Sequence, residues 1–365
     1  MRANCHRLVF EFPSLYFRVQ SAIMPRDLTA LSISNLAKYG HFEELHRRVA
    51  AGEDADLATV FERAATDFRT VKRNPGHLKI LKWCVDQGLD YAARADWLNR
   101  PVVCLAAASG NNEVIKYMMD QNLPEDPFIW ASVGEIDLLK QYASSHDLSG
   151  LSDANGFNLL FYCVESGLGR RDEELKQTLT SICRLLLAHN VCPRREVKFD
   201  LPICPAFLCA ANGGNEEIMR LLLENGGLTA ERFHLVMEHS LEPHQRSGEP
   251  FYAIANCILQ YGFDINETRA DQGRSLLHGA ANRGTVKAVE WLLENGADPN
   301  GLDDQRRTPL HVSAQRNTFT AVVKLLVDSG CDPMAKDVSG MTALDCARDN
   351  KRTRVVEYLE SSCRR

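Results

Sequence analysis

The feature that most constrains this chain is a block that copies itself. Ser275-Leu-Leu-His278-Gly-Ala280-Ala281-Asn-Arg-Gly284 leads into Val289-Glu-Trp-Leu292-Leu293, then Gly296, Asp298 and Asn300. A second copy opens 33 residues on at Thr308-Pro309-Leu310-His311 and continues through Val323, Leu325, Leu326, Gly330 and Asp332; a third opens at Thr342-Ala343-Leu344-Asp345. Thr308 is placed to cap a helix, with Pro309 at the first helical position, where a missing N–H costs nothing. Small Ala280 and Ala281 let neighbouring helices approach. Leu292, Leu293, Leu325 and Leu326 supply the apolar stripe of a second helix, with Leu293 expected to be fully buried. Gly296 and Gly330 suit the left-handed residue that ends that helix. One such helix pair cannot cover its own apolar face, so the copies must stack.

The residue that ends the second helix can be followed back along the chain, at Gly52, Gly88, Asn122, Asn190, Gly226, Gly262, Gly296 and Gly330. The steps are 34 or 36 residues except for one of 68. That gap holds a shortened pair, Phe128–Val133 then Ile136–Leu139, and a lengthened one with an insertion near 167–178. This counts about ten helix–turn–helix units.

Over 271–362 the pattern resembles the ankyrin repeat. The resemblance implies an all-α solenoid with short hairpin loops over 25–362, degenerate in 28–270 and closer to the consensus in 271–362. Residues 1–24 are read as a loose extension, with an organelle presequence as the alternative, and 363–365 as a tail. The resemblance also implies that His278 and His311 bond the backbone of the adjacent hairpin.

The composition fits a stacked, soluble chain: 45% hydrophobic, 25% charged, net charge −6. A dedicated nucleic-acid binder is disfavoured by that balance. No apolar run approaches the ~18 residues of a membrane span. Twelve cysteines stand without a Cys-x-x-Cys pair, mostly inside apolar runs, so neither a metal framework nor a disulfide scaffold is expected. The reducing cytoplasm fits best, with the nucleus as the alternative. His234, His239 and His244 are five apart and scatter around a helix, unlike the i, i+4 spacing of zinc-binding helices. Gly167-Leu168-Gly169 lacks the third glycine of a phosphate loop and reads as part of a solvated insertion. No cofactor is expected.

In ankyrin proteins partners dock on the concave side, on hairpin tips and the exposed ends of first helices. By that resemblance the candidate partner-binding residues are Asp271, Gln272, Arg274, Asn282, Arg283, Asp304, Gln305, Arg307, Gln315, Arg316 and Met341. Residues 269–365 hold 15 basic and 13 acidic residues, leaving a net of −8 for residues 1–268. Four arginines on one surface, with only Asp271 and Asp304 in view to balance them, favour an acidic partner segment. Reversing Arg307 and Arg316 to Glu is then expected to remove binding and to leave the melting temperature unchanged or slightly raised. The function so read is non-catalytic protein–protein recognition by a monomeric scaffold or adaptor. The alternative is an enzyme, or a regulatory subunit of one, with chemistry in 28–150 or in the insertion.

Overall fold

The structure is a computed structural model that describes residues 28, 31–67, 75–91, 93, 100–110, 112–120, 123–170, 172–193, 205–226, 228, 230–241, 252–269, 272–316 and 320–362. The 1–24 extension, the 363–365 tail, Asn122, His244 and Asp271 lie outside the described residues, as does the side chain of His239. The described residues form twenty α-helices in ten consecutive pairs, the number of units the repeat tracing predicts. They divide into two compact units, Met1–Gly213 and Gly214–Arg365.

The first unit carries α1 (Ile33–Tyr39), α2 (Phe42–Ala50), α3 (Leu57–Asp67), α4 (Pro75–Asp86), α5 (Val102–Ala108), α6 (Asn112–Met119), α7 (Pro127–Val133), α8 (Ile136–Ala143), α9 (Leu159–Glu165), α10 (Glu173–Ala188) and α11 (Pro205–Gly213). The first helices of the pairs pack in a row, α1–α3–α5–α7–α9–α11. Second helices pack beside them, α2–α4–α6 and α8–α10. Caps set the starts: Asp126 Oδ1 accepts from the N–H of Phe128 at 2.8 Å, and Asn158 Oδ1 from that of Phe161 at 3.2 Å. Every residue of α5, Val102 to Ala108, is buried, as suits a short helix flanked by neighbours on both sides.

The insertion is not a solvated loop. A 3₁₀ turn, Leu168–Arg170, buries Leu168, while Gly169 lies against the backbone of Lys176. The first turns of α10 put Leu175 and Thr178 against Gly134, the residue that ends α7. The apolar Leu168 and two side-chain-free glycines allow this close folding, which a reading of the adjacent charges misses.

The second unit carries α12 (Glu216–Gly226), α13 (Ala230–Leu241), α14 (Tyr252–Gln260), α15 (Leu276–Arg283), α16 (Val286–Glu294), α17 (Pro309–Arg316), α18 (Ala321–Asp328), α19 (Ala343–Asp349) and α20 (Thr353–Ser362). Its first-helix row is α13–α15–α17–α19. Pro309 opens α17 as the sequence predicts. Gly52, Gly88, Asn190, Gly262, Gly296 and Gly330 all adopt the left-handed backbone expected after a second helix, whereas Gly226 is the last residue of α12 itself. In α16 the buried stripe is Ala288, Val289, Trp291 and Leu292; Leu293 is half-buried, one position off the expected register.

Candidate functional site

The helix starts of the second unit fix its hairpin tips. His278 Nε2 donates to the carbonyl of Arg307 at 2.9 Å, while its Nδ1 accepts from the Ser275 hydroxyl at 2.9 Å. One repeat on, His311 Nε2 donates to the carbonyl of Met341 at 3.1 Å, with Thr308 Oγ1 2.9 Å from Nδ1. Burial pushes the His278 imidazole below its ordinary value, against the opposing pull of the Arg307 carbonyl. A neutral ring that donates from Nε2 and accepts at Nδ1 is a structural bridge between repeats, as the resemblance implies.

The tips are Asx turns. Asp303 Oδ1 accepts the N–H groups of Gln305 and Arg307, both at 2.9 Å. Asp337 Oδ1 accepts those of Ser339 at 2.8 Å and Met341 at 3.0 Å. Neighbouring tips are strung together by backbone: the N–H of Asp304 donates to Gln272 at 3.1 Å and that of Val338 to Gln305 at 3.0 Å. On the loops after the second helices, Asn266 and Asn300 form a second ladder. Asn266 donates Nδ2 to the Gly296 carbonyl at 3.1 Å and accepts from the N–H of Asp298 at 2.8 Å; Asn300 repeats this with Gly330 at 2.9 Å and Asp332 at 2.8 Å.

The sequence-predicted residues separate on this scaffold. Gln272, Asp304 and Gln305 are exposed at the tips; Asn282, Gln315 and Met341 are half-buried. Gln315 also gives its carbonyl to Arg352 Nε at 3.2 Å. Arg307 is not a free surface cation: its Nε and Nη2 grip Asp303 Oδ2 at 2.9 and 2.7 Å. Arg274 Nε lies 3.6 Å from the same oxygen. Arg283 is drawn to Glu238, with Nη1 3.6 Å from Oε1. Arg316 is exposed, and no carboxylate among the described residues pairs with it. The expectation of four like charges balanced only by Asp271 and Asp304 is therefore corrected. Asp303 and Glu238, both buried, were missed. Asp303 could have been found from its recurrence as Asp337, each standing five residues before the helix-opening Thr308 or Thr342.

Comparison with known proteins agrees with this geometry. The family model described as "Ankyrin repeats (3 copies)" matches residues 246–337 and 277–363. The chain is 26% identical over 280 residues to the ankyrin repeat protein nuc-2 of Neurospora crassa, covering 73% of this chain and 24% of that one. It is 30% identical over 132 residues to a putative ankyrin repeat protein of Rickettsia felis, covering 32% of this chain and 57% of that one.

Residues 246–363 are ankyrin repeats.

Ankyrin repeats mark a protein–protein interaction module. The chain also matches the palmitoyltransferase AKR1 of Lachancea kluyveri, 27% identical over 146 residues, covering 39% of this chain and 20% of that enzyme. It thus spans about a quarter or less of the nuc-2 and AKR1 proteins.

In the first unit Arg100 is buried and ion-paired to Glu165, and its charge also reaches Cys104 and Tyr162. The Tyr162 hydroxyl donates to Asp153 Oδ2 at 2.7 Å. Burial pushes the Cys104 thiol and the Tyr162 hydroxyl far above their ordinary values, and the Cys183 thiol up to about 12. A nucleophilic cysteine needs the opposite shift, so these groups are held neutral and pack as core. Among the described residues no group of three or more His, Cys, Asp or Glu is placed to hold a metal ion, and no helix is long and apolar enough to cross a membrane.

Proposed function

We propose that this ankyrin-repeat protein is a non-catalytic scaffold or adaptor that takes an acidic segment of a partner protein on the tips and first-helix ends of its second unit. The observation that carries this reading is Arg316, a cation exposed at the end of α17 with no carboxylate of its own among the described residues. Exposed Gln272 and Gln305 flank the tips as hydrogen-bonding groups for a partner's backbone. Such a preformed face would lose little ordering entropy on binding. The spacing of the twelve cysteines, which include no Cys-x-x-Cys pair, favours the cytoplasm, with the nucleus as the alternative. The resemblance to a palmitoyltransferase covers one fifth of that enzyme and brings no activity to this chain.

Selection of a random peptide library against the intact protein and against Arg316→Glu tests this. Binders of the intact protein should be rich in Asp and Glu, should weaken as salt rises, and should be lost from the variant. Identical, uncharged selections from both proteins would refute the acidic-partner reading.

A further inference from the structure

Asp303 has no acceptor capacity left. A carboxylate offers about four lone-pair sites. Here two N–H groups of its own turn fill Oδ1, and Nε and Nη2 of Arg307 fill Oδ2. Arg274 Nε stands 3.6 Å from Oδ2, beyond hydrogen-bond distance, and this buried nitrogen has no hydrogen-bond partner. The sequence gives the reason. Five residues before Ser275, where the next two repeats carry Asp303 and Asp337, the chain has Ala270. Arg274 therefore leans on the carboxylate of the following repeat, which Arg307 already saturates. Two guanidiniums share one anion, and the surplus charge belongs to Arg274, whose side chain stays 28% exposed. On the same tip, exposed Asp304 and Arg306 balance in formal charge.

Arg283 is in a different position. Gly279 stands 33 residues before Val312, a buried core residue, and the missing side chain makes room for Glu238. A β-carbon at Gly279 would sit 2.8 Å from Glu238 Oε1. One carboxylate thus answers one guanidinium there.

We propose that Arg274 is the anchor of the recognition face and that it takes a single carboxylate, the Asp or Glu side chain of the partner peptide, in preference to a phosphate. This rests on the acidic-partner reading. An anion docking on Arg274 comes close to Asp303. A carboxylate brings one negative charge, which matches the surplus. A phosphate brings nearly two, and the excess is repelled by the buried Asp303 beside Arg274. Arg307 cannot serve instead, because turning outward would strand Asp303 buried and unpaired.

The test is fluorescence anisotropy at low ionic strength with the full chain and three labelled Gly/Ser dodecapeptides, carrying two glutamates, two glutamines or two phosphoserines. The intact protein should bind the glutamate peptide best. Arg274→Gln should weaken it about tenfold, a loss of about 1.4 kcal/mol. Arg274→Lys, which keeps the charge but not the fork, should fall between. Circular dichroism melts check that both variants fold. If the intact protein tells glutamate from glutamine but Arg274→Gln and Arg274→Lys bind as it does, the anchor is elsewhere and the proposal is overturned while the acidic reading stands. A phosphoserine peptide bound tightest overturns the choice of carboxylate. No discrimination between glutamate and glutamine by the intact protein overturns both.

Discussion

The N–H of Gly167 donates to the carbonyl of Ala107 at 2.9 Å, joining the third and fifth helix pairs past the short fourth one. The ion pair of Arg100 with Glu165 spans the same two pairs. Gly110, at φ +68°, allows the approach: a β-carbon there would stand 2.7 Å from the Gly167 carbonyl oxygen. Gly52 is also left-handed, at φ +95°, but has open space around it. Gly52→Ala should therefore cost only backbone strain, ~1–2 kcal/mol, whereas Gly110→Ala should cost clearly more because backbone must move. Equal melting temperatures for the two variants would show that the insertion does not brace the first unit.

The one-position offset in α16 gives a second expectation. Leu292 is fully buried and Leu293 only half so. Leu292→Ala should cost ~2–5 kcal/mol through the cavity it leaves. Leu293→Ala should cost roughly half of that, and Glu294→Ala, at an exposed position, should stay within about 0.5 kcal/mol. Urea denaturation of the three variants checks the order, and a larger loss at Leu293 would place the stripe on the other face.

How much of this was legible follows from where each signal lives. The Ala280–Ala281 pair, Pro309 and the Gly296/Gly330 spacing report local backbone needs, so they placed helices and turns correctly. The Leu292-Leu293 pair was ambiguous because adjacent leucines differ by 100° around a helix, and only the neighbouring helices decide which faces inward. Arg307 and Arg283 read as surface cations because Asp303 looks like any turn aspartate and Glu238 is 45 residues from its partner in sequence. Pairing across repeats is a tertiary fact. The insertion misled for the same reason: the charges around Arg170 were visible, but the site receiving Leu168 was not.

Acid should loosen the second unit in two steps. Burial lowers the His278 imidazole below 6.5, outweighing its bond to the Arg307 carbonyl. Burial alone would raise the Asp303 carboxyl, but the hydrogen bonds from Arg307 outweigh it and hold it below 3.8. Both folded values are depressed, so the unfolded chain binds more protons at low pH. Each contribution is complete above the unfolded value and lost as pH falls through the folded one. Protection of α15 and α17 in hydrogen exchange should hold from pH 8 to 7, after correction for the intrinsic rate. It should decline below 6.5 and again below 3.8. His278→Gln should remove the first decline; persistence of that step would assign it to another group.

The last expectation separates the two arginines that the repeat pattern treats as equivalents. Arg307 spends both arms of its fork on Asp303, whose side chain is only 1% exposed. Removing one partner of such a pair leaves a buried charge, at a cost of about 3 kcal/mol or more. Arg307→Glu adds a second carboxylate beside the first and should lower the melting temperature by several degrees. Arg316→Glu breaks no pair and should leave it within a degree or two, as surface changes do. Pairing Arg307→Gln with Asp303→Asn closes a double-mutant cycle. The double variant should be less destabilised than the two single losses added together, because each change removes the reason for the other. Simple additivity would mean that the grip of Arg307 on Asp303 does not hold the tip, and that Arg307 rejoins Arg316 as a cation available to a partner.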